Sequence, residues 1–141
     1  MAILSTPAIT VPRTATVMDT VRTMAGAKVG SVVVVEDGRV EGIFSERDVM
    51  LRVVLEGRDP ERTIVEEVMT TPVQTISTGT TGDQALKLML QEHIRHLPVV
   101  GADGKVQAVV SMRNLLQDKV QELNQQLDSL ESYMTADGIG G

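Results

Sequence analysis

The stretch with the most chemical content is Gly42-Ile-Phe-Ser45-Glu-Arg47-Asp48, where a β-prone run gives way to a helical one. A helix start presents free backbone N–H groups and the positive end of its dipole, a setting that attracts phosphate. The Ser45 hydroxyl can donate to such an anion, and Arg47 adds positive charge. Asp48, one turn further in, offers two carboxylate oxygens that can each accept from one hydroxyl of a vicinal ribose diol. Phosphate plus ribose describes a nucleotide. The same spacing also writes a capping box, in which Ser45 and Asp48 only satisfy the helix's own N–H groups, and both readings fit. The arrangement recurs as Ser111-Met-Arg113-Asn114, and the shared arginine is the part that capping does not require.

Other chemistries find less to work with. His93 and His96 are the chain's two histidines; one falls near a helix end and the other near a strand start, with no third ligand nearby in sequence, so no metal site is read. None of the nineteen carboxylates besides Asp48 stands in a setting that suggests a tuned acid or base. Neither Ser45 nor Ser111 has a histidine at a spacing that argues for a nucleophilic pair. The expectation is a chain without catalytic residues.

Two copies of one pattern position these residues. Gly30 through Asp48 reappears as Arg95 through Asn114, with an offset of 65 before the Asp-Gly dipeptide (Met24 to Met89) and 66 at it (Gly38 to Gly104). One residue has therefore been inserted in a loop. Asp37-Gly38 and Asp103-Gly104 each lie between Val-rich runs, a strong short-range hairpin signal, which predicts strands over 31–36, 39–44, 97–101 and 105–110. Helical spacing precedes each hairpin, through Val17, Val21 and Met24, then through Ala85, Leu86, Met89 and Leu90. Short extended pieces come before that, at Ile9 to Val11 and Val73 to Ile76. A helix follows each hairpin, from Ser45 toward Leu55 and from Ser111 onward.

Each copy thus reads strand, helix, strand, strand, helix: an α+β fold. Neither copy, at about 55–60 residues, buries much core alone, so the two should pack face to face on their sheets. The resulting division is a first repeat over 1–58, a connection over 59–72 with a short helix at Val65 to Met69, and a second repeat over 73–118. An amphipathic helix over 119–135 and a flexible tail over 136–141 follow. Val120, Leu123, Leu127 and Leu130 form a stripe on that helix which either packs on its own module or pairs with another helix.

Composition narrows the function. At 42% hydrophobic, the 141 residues can bury a core, but aromatics are 1%, Phe44 and Tyr133, so base stacking on nucleic acid has almost nothing to use. The net charge of −6 repels polyanions at long range. Zero cysteines remove disulfides and thiolate sites and fit a reducing compartment, with the cytoplasm as the expected location. No segment approaches the ~18 apolar residues of a membrane helix, and no targeting signal is read at the amino terminus.

With these parts in order, the chain resembles the CBS-domain family, named after cystathionine β-synthase, in its paired form, the Bateman module. The resemblance covers about residues 3 to 118 and rests on Ile94-Arg-His-Leu-Pro-Val-Val100, the Asp-Gly hairpins, Gly42-x-x-Ser45-x-x-Asp48, and Val65-x-x-Val68-Met69-Thr-x-Pro72. It implies two β-α-β-β-α repeats related by a pseudo-twofold axis, and adenine nucleotides held in clefts between them. One site would use Ile9, Val29, Gly30, Ser31 and Ile43 for the base, Asp48 for ribose, and Ser45 with Arg47 for phosphate. The other would use Gln74, Ile94, Arg95, His96 and Val109, with Ser111, Arg113 and Asn114. The aliphatic members of both sets equally suit plain core packing.

The second copy departs from the family pattern with Ala108 in place of Gly42 and Asn114 in place of Asp48. Because Asn exchanges one acceptor for a donor, the second site is expected to be weaker, empty, or filled by the other half of a larger ligand such as NAD. AMP, ADP, ATP and NAD all suit the shared arginines better than S-adenosylmethionine does. The resemblance further implies a homodimer and a regulatory sensor, not an enzyme, signalling to a separate regulated protein by conformational change. The competing reading is a ligand-free dimerisation or scaffold module acting through its C-terminal helix.

Overall fold

The computed structural model describes residues 5–134. In the first repeat β2 (Thr10–Pro12) pairs parallel with β3 (Ser31–Glu36), joined by the crossover helix α1 (Val17–Ala27), and β3 pairs antiparallel with β4 (Arg39–Ser45). The second repeat repeats this with β5 (Ile76–Ser77), α3 (Gly82–Glu92), β6 (His96–Val100) and β7 (Val106–Ser111). Strand β4 leads into α2, a single α turn at Glu46–Asp48 that widens into a π helix over Val49–Val54, and β7 leads into the long α4 (Met112–Met134). A 3₁₀ turn, Val65–Glu67, lies in the connection.

Local sequence explains the helix limits. Thr16 Oγ1 accepts from Asp19 N at 3.0 Å to start α1, which ends where Lys28 turns left-handed. Thr81 and Gln84 form a capping box for α3, which ends in the same way at His93. Val17 and Met24 are buried on α1, as are Ala85 and Met89 on α3. Leu90, read from its spacing as part of the apolar face, is instead 60% exposed.

The hairpins account for the inserted residue. In the first, Asp37 and Gly38 both have positive φ (52° and 79°) and Glu36 pairs with Arg39, which makes a two-residue turn of the type that matches strand twist. In the second, Gly101 N donates to Lys105 O at 2.9 Å and Gly104 alone is left-handed, so the loop holds three residues.

The repeats are interlocked through their leading segments. β1 (Thr6–Pro7), at the start of the first repeat, adds antiparallel to β7 of the second, giving a sheet of order β1-β7-β6-β5. Thr70, which precedes the second repeat, exchanges two backbone bonds of 2.8 and 3.0 Å with Ile43 on β4 of the first. Val106 N also donates to Gly38 O at 3.0 Å, tying one hairpin to the other. Val32 and Val34 belong to the first core with α1, and Leu97 and Val99 to the second. Strand alternation puts Val33 and Pro98 on the opposite sheet faces, and both are buried where the two repeats pack face to face.

The exchanged segments also explain the missing glycine. A Cβ on Gly42 would fall 2.8 Å from Met69 Cγ and 3.0 Å from Thr70 O. At the matching place in the second repeat, Ala108 pairs with Pro7, and the residue corresponding to Met69 is Ser5. Glycine meets a large side chain in one repeat, and the residue in the corresponding register of the other is small.

Some expectations shift. The extended pieces are Thr10–Pro12 and Ile76–Ser77, so Ile9 and Gln74 precede their strands. α4 carries the second repeat's last helix past 118 without a break, from Met112 to Met134, as the continuing apolar spacing implies, and the tail expected over 136–141 lies outside the described residues. Among the described residues no helix is long and apolar enough to cross a membrane.

Candidate functional site

Both helix starts are built the same way. Register pairs Ser31 with Ser45 and His96 with Ser111, while Glu46 N donates to Gly30 O at 3.0 Å and Met112 N to Arg95 O at 2.8 Å. Each strand entry is therefore pinned against the helix start across from it. Val33 with Ile43, and Pro98 with Val109, form the register pairs two positions inward, on the same sheet face.

In the first repeat Asp48 is 7% exposed and fully engaged. Its Oδ2 accepts from Ser45 N at 3.0 Å and from Ser45 Oγ at 3.1 Å, while Ser45 Oγ accepts from Asp48 N at 3.3 Å. Its Oδ1 accepts from Thr70 Oγ1 at 3.0 Å and lies 3.5 Å from Arg52 Nε. The capping box is present, and a ribose hydroxyl reaching this carboxylate would share Oδ1 with Thr70 and the nearby Arg52. Glu46 adds a negative charge beside Gly30, its Cδ 3.5 Å from where a Cβ would stand.

In the second repeat Ser111 N donates to Asn114 Oδ1 and Asn114 N to Ser111 Oγ, both at 3.0 Å. Among the described residues no neighbour comparable to Thr70 or Arg52 bonds to Asn114, and Met112 stands where Glu46 does. Here an open cavity of about 750 Å³ is lined by Arg95, His96, Ser111, Met112 and Arg113, and by Leu116, Gln117, Val120 and Gln121 of α4. Arg95 and Arg113 are exposed and form no ion pair among the described residues, and Arg47 at the first helix start is likewise exposed and unpaired.

The structure thus brings together four of the residues singled out for the second site: Arg95, His96, Ser111 and Arg113. Asn114 holds the helix start beneath them, and Gln74 is exposed in the segment before β5. Ile9, Val29 and Ile94 are half-buried against the two cores, the packing role that suits their chemistry. The α4 residues of the lining were not anticipated. Their signal is the series 113, 116, 117, 120, 121, which is one helix face continuing from the shared arginine.

Burial holds the His96 imidazole below its ordinary pKa of 6.5, and the positive charge of Arg95 adds to this, while Glu46 opposes it. A depressed folded-state value means that neutral His96 supports the fold fully above about pH 6.5, and that this support is lost as pH falls from there toward the lowered value. The wild-type melting temperature should therefore fall further between about pH 7.5 and pH 5 than that of His96→Gln. Parallel curves for the two proteins would show that His96 is not the responsible group.

Comparison with known proteins follows the geometry closely. A family model described as "CBS domain" matches residues 2–55 and 65–119. The mitochondrial CBS domain-containing protein CBSX3 of Arabidopsis thaliana is 32% identical over 124 residues, 84% of this chain and 60% of that protein. A solved protein with CBS domains from Burkholderia ambifaria is 32% identical with a TM-score of 0.75, covering 81% of this chain and 83% of its own. The CBS domain protein PAE2072 from Pyrobaculum aerophilum, solved in complex with AMP, is 28% identical with a TM-score of 0.72, covering 79% and 86%. The chain spans between 24% and 60% of the length of the curated relatives at the head of the comparison.

Proposed function

The chain belongs to the CBS-domain family as a tandem pair, and on that premise we propose that it is a regulatory sensor that binds an adenine nucleotide at the second repeat's helix start. The observation that carries this reading is the convergence of two arginines, Arg95 and Arg113, that form no ion pair among the described residues, with Ser111 on one open cavity. Two guanidinium groups at a helix start match phosphate chemistry, and the AMP carried by PAE2072, a protein of the same fold and 28% identity, supports adenosine as the rest of the ligand.

AMP, ADP, ATP and NAD all satisfy these groups, whereas S-adenosylmethionine offers no phosphate. No catalytic role is proposed. The protein acts in the cytoplasm and passes the ligand state to a separate regulated protein by a population shift between conformers. At the first repeat a ribose would share Asp48 with Thr70 and Arg52 and meet the charge of Glu46, which makes that site the weaker of the two, the reverse of the order read from Asn114 alone.

A thermal-shift panel tests this. AMP, ADP, ATP and NAD at millimolar concentration should raise the melting temperature by several degrees, because a ligand at about 100 times its dissociation constant stabilises by about 2.7 kcal/mol. S-adenosylmethionine should have little effect. A panel with no shift for any nucleotide would favour the scaffold reading, which draws on the completed capping box at Asp48 and on the exposed apolar stripe of α4.

A further inference from the structure

We infer that the outer part of α4 is a two-stranded coiled-coil seam that joins two copies of this chain. Leu116, Val120, Leu123, Leu127, Leu130 and Met134 follow one another at steps of four, three, four, three and four. That is the 3.5-residue repeat of a coiled coil, narrower than the broad stripe of a helix packing on its own globule. All six are between 49% and 59% exposed. Of α4, the second core takes in only Met112 and Leu115, and among the described residues its last ion pair with another element is Lys119 Nζ to Asp83 at 3.7 Å. Beyond Lys119 the helix continues for four turns with its apolar edge uncovered.

The residues beside the seam say what covers it. Positions flanking the six are Gln117, Lys119, Asn124, Gln126, Glu131 and Tyr133, so only two of the flanking residues are charged, and with opposite signs. Coiled coils that select a different chain do so through complementary charges at these positions. A flank of amides offers a foreign charged helix nothing to choose, and it lets an identical helix approach without like-charge repulsion despite the chain's net charge of −6. Leu116 and Val120 belong both to the seam and to the cavity wall, so a paired copy would run along the cavity's rim. The seam stands on its own residues and does not depend on the ligand reading.

The test is sedimentation equilibrium of the full-length chain at tens of micromolar. Wild type should be a dimer, and Leu123→Glu/Leu127→Glu should be monomeric at the same concentration, its dissociation constant raised at least 100-fold. Gln125→Glu/Ser132→Glu adds the same two charges on the far face of the helix and should remain dimeric. Near-identical melting of both variants in the monomeric range would show that the module itself is intact. A monomeric wild type, or a seam variant that associates as the far-face control does, overturns the inference.

Discussion

Asp48→Ala will cost the fold about 3 kcal/mol, whereas Asn114→Ala at the equivalent position of the second repeat will cost about 1 kcal/mol. Both substitutions remove a capping side chain, which alone is worth about 1 kcal/mol. At Asp48 more is lost. The buried carboxylate also receives Thr70 Oγ1, and through it holds the segment whose backbone pairs with Ile43. It lies 3.5 Å from Arg52 Nε, which in turn belongs to the side chain that donates to Met69 O at 2.9 Å. Urea denaturation of the two variants measures the difference directly, since the exchanged leading segments should make the repeats unfold together. Equal costs would mean that Thr70 and Arg52 contribute nothing beyond the cap. The same reasoning makes Asp48→Ala a poor probe of ribose binding: it would weaken ligand affinity through the fold even if no ligand ever touched Asp48.

The second large effect is on affinity. Arg95→Ala/Arg113→Ala should weaken AMP binding by about 100-fold while leaving the melting temperature of the free protein nearly unchanged. A hydrogen bond to a charged group contributes about 1.5–3 kcal/mol, and 1.4 kcal/mol is a factor of ten, so losing two such contacts gives at least that factor. Stability is spared because both side chains are exposed and make no ion pair among the described residues. Arg22→Ala/Arg62→Ala removes the same two charges from surface pairs with Asp19 and Asp59 and controls for the general field; it should bind AMP as wild type does. Equal weakening in both double variants would assign the effect to net charge, not to the cavity.

The fold was largely legible because it depends on local patterns that occur twice. Asp37-Gly38 and Asp103-Gly104 announce hairpins by backbone chemistry alone, and the change of offset says that a loop gained one residue, which the structure assigns to the second hairpin. The interlocking was not legible. Nothing in the type or spacing of Thr6 or Thr70 says that each pairs with the other repeat's sheet. That long-range pairing is also what decides Gly42 against Ala108, a difference that in sequence looks like a lapse from the motif.

The site was legible in its parts but not in its balance. Ser45-x-x-Asp48 allowed both a cap and a ribose contact, and only the position of Thr70 and Arg52 shows how completely the carboxylate is occupied. Comparing Asp with Asn led to a ranking of the two sites by acceptor count. The neighbours add a second basis for ranking them, because Glu46 places a carboxylate at the first helix start where the second has Met112.

Isothermal titration of the full-length protein with AMP and, separately, with adenosine tests the central claim most directly. The account predicts saturable AMP binding and a loss of at least tenfold when the phosphate is removed, because Arg95 and Arg113 address the phosphate. Adenosine binding as tightly as AMP, or no heat with either, would contradict it.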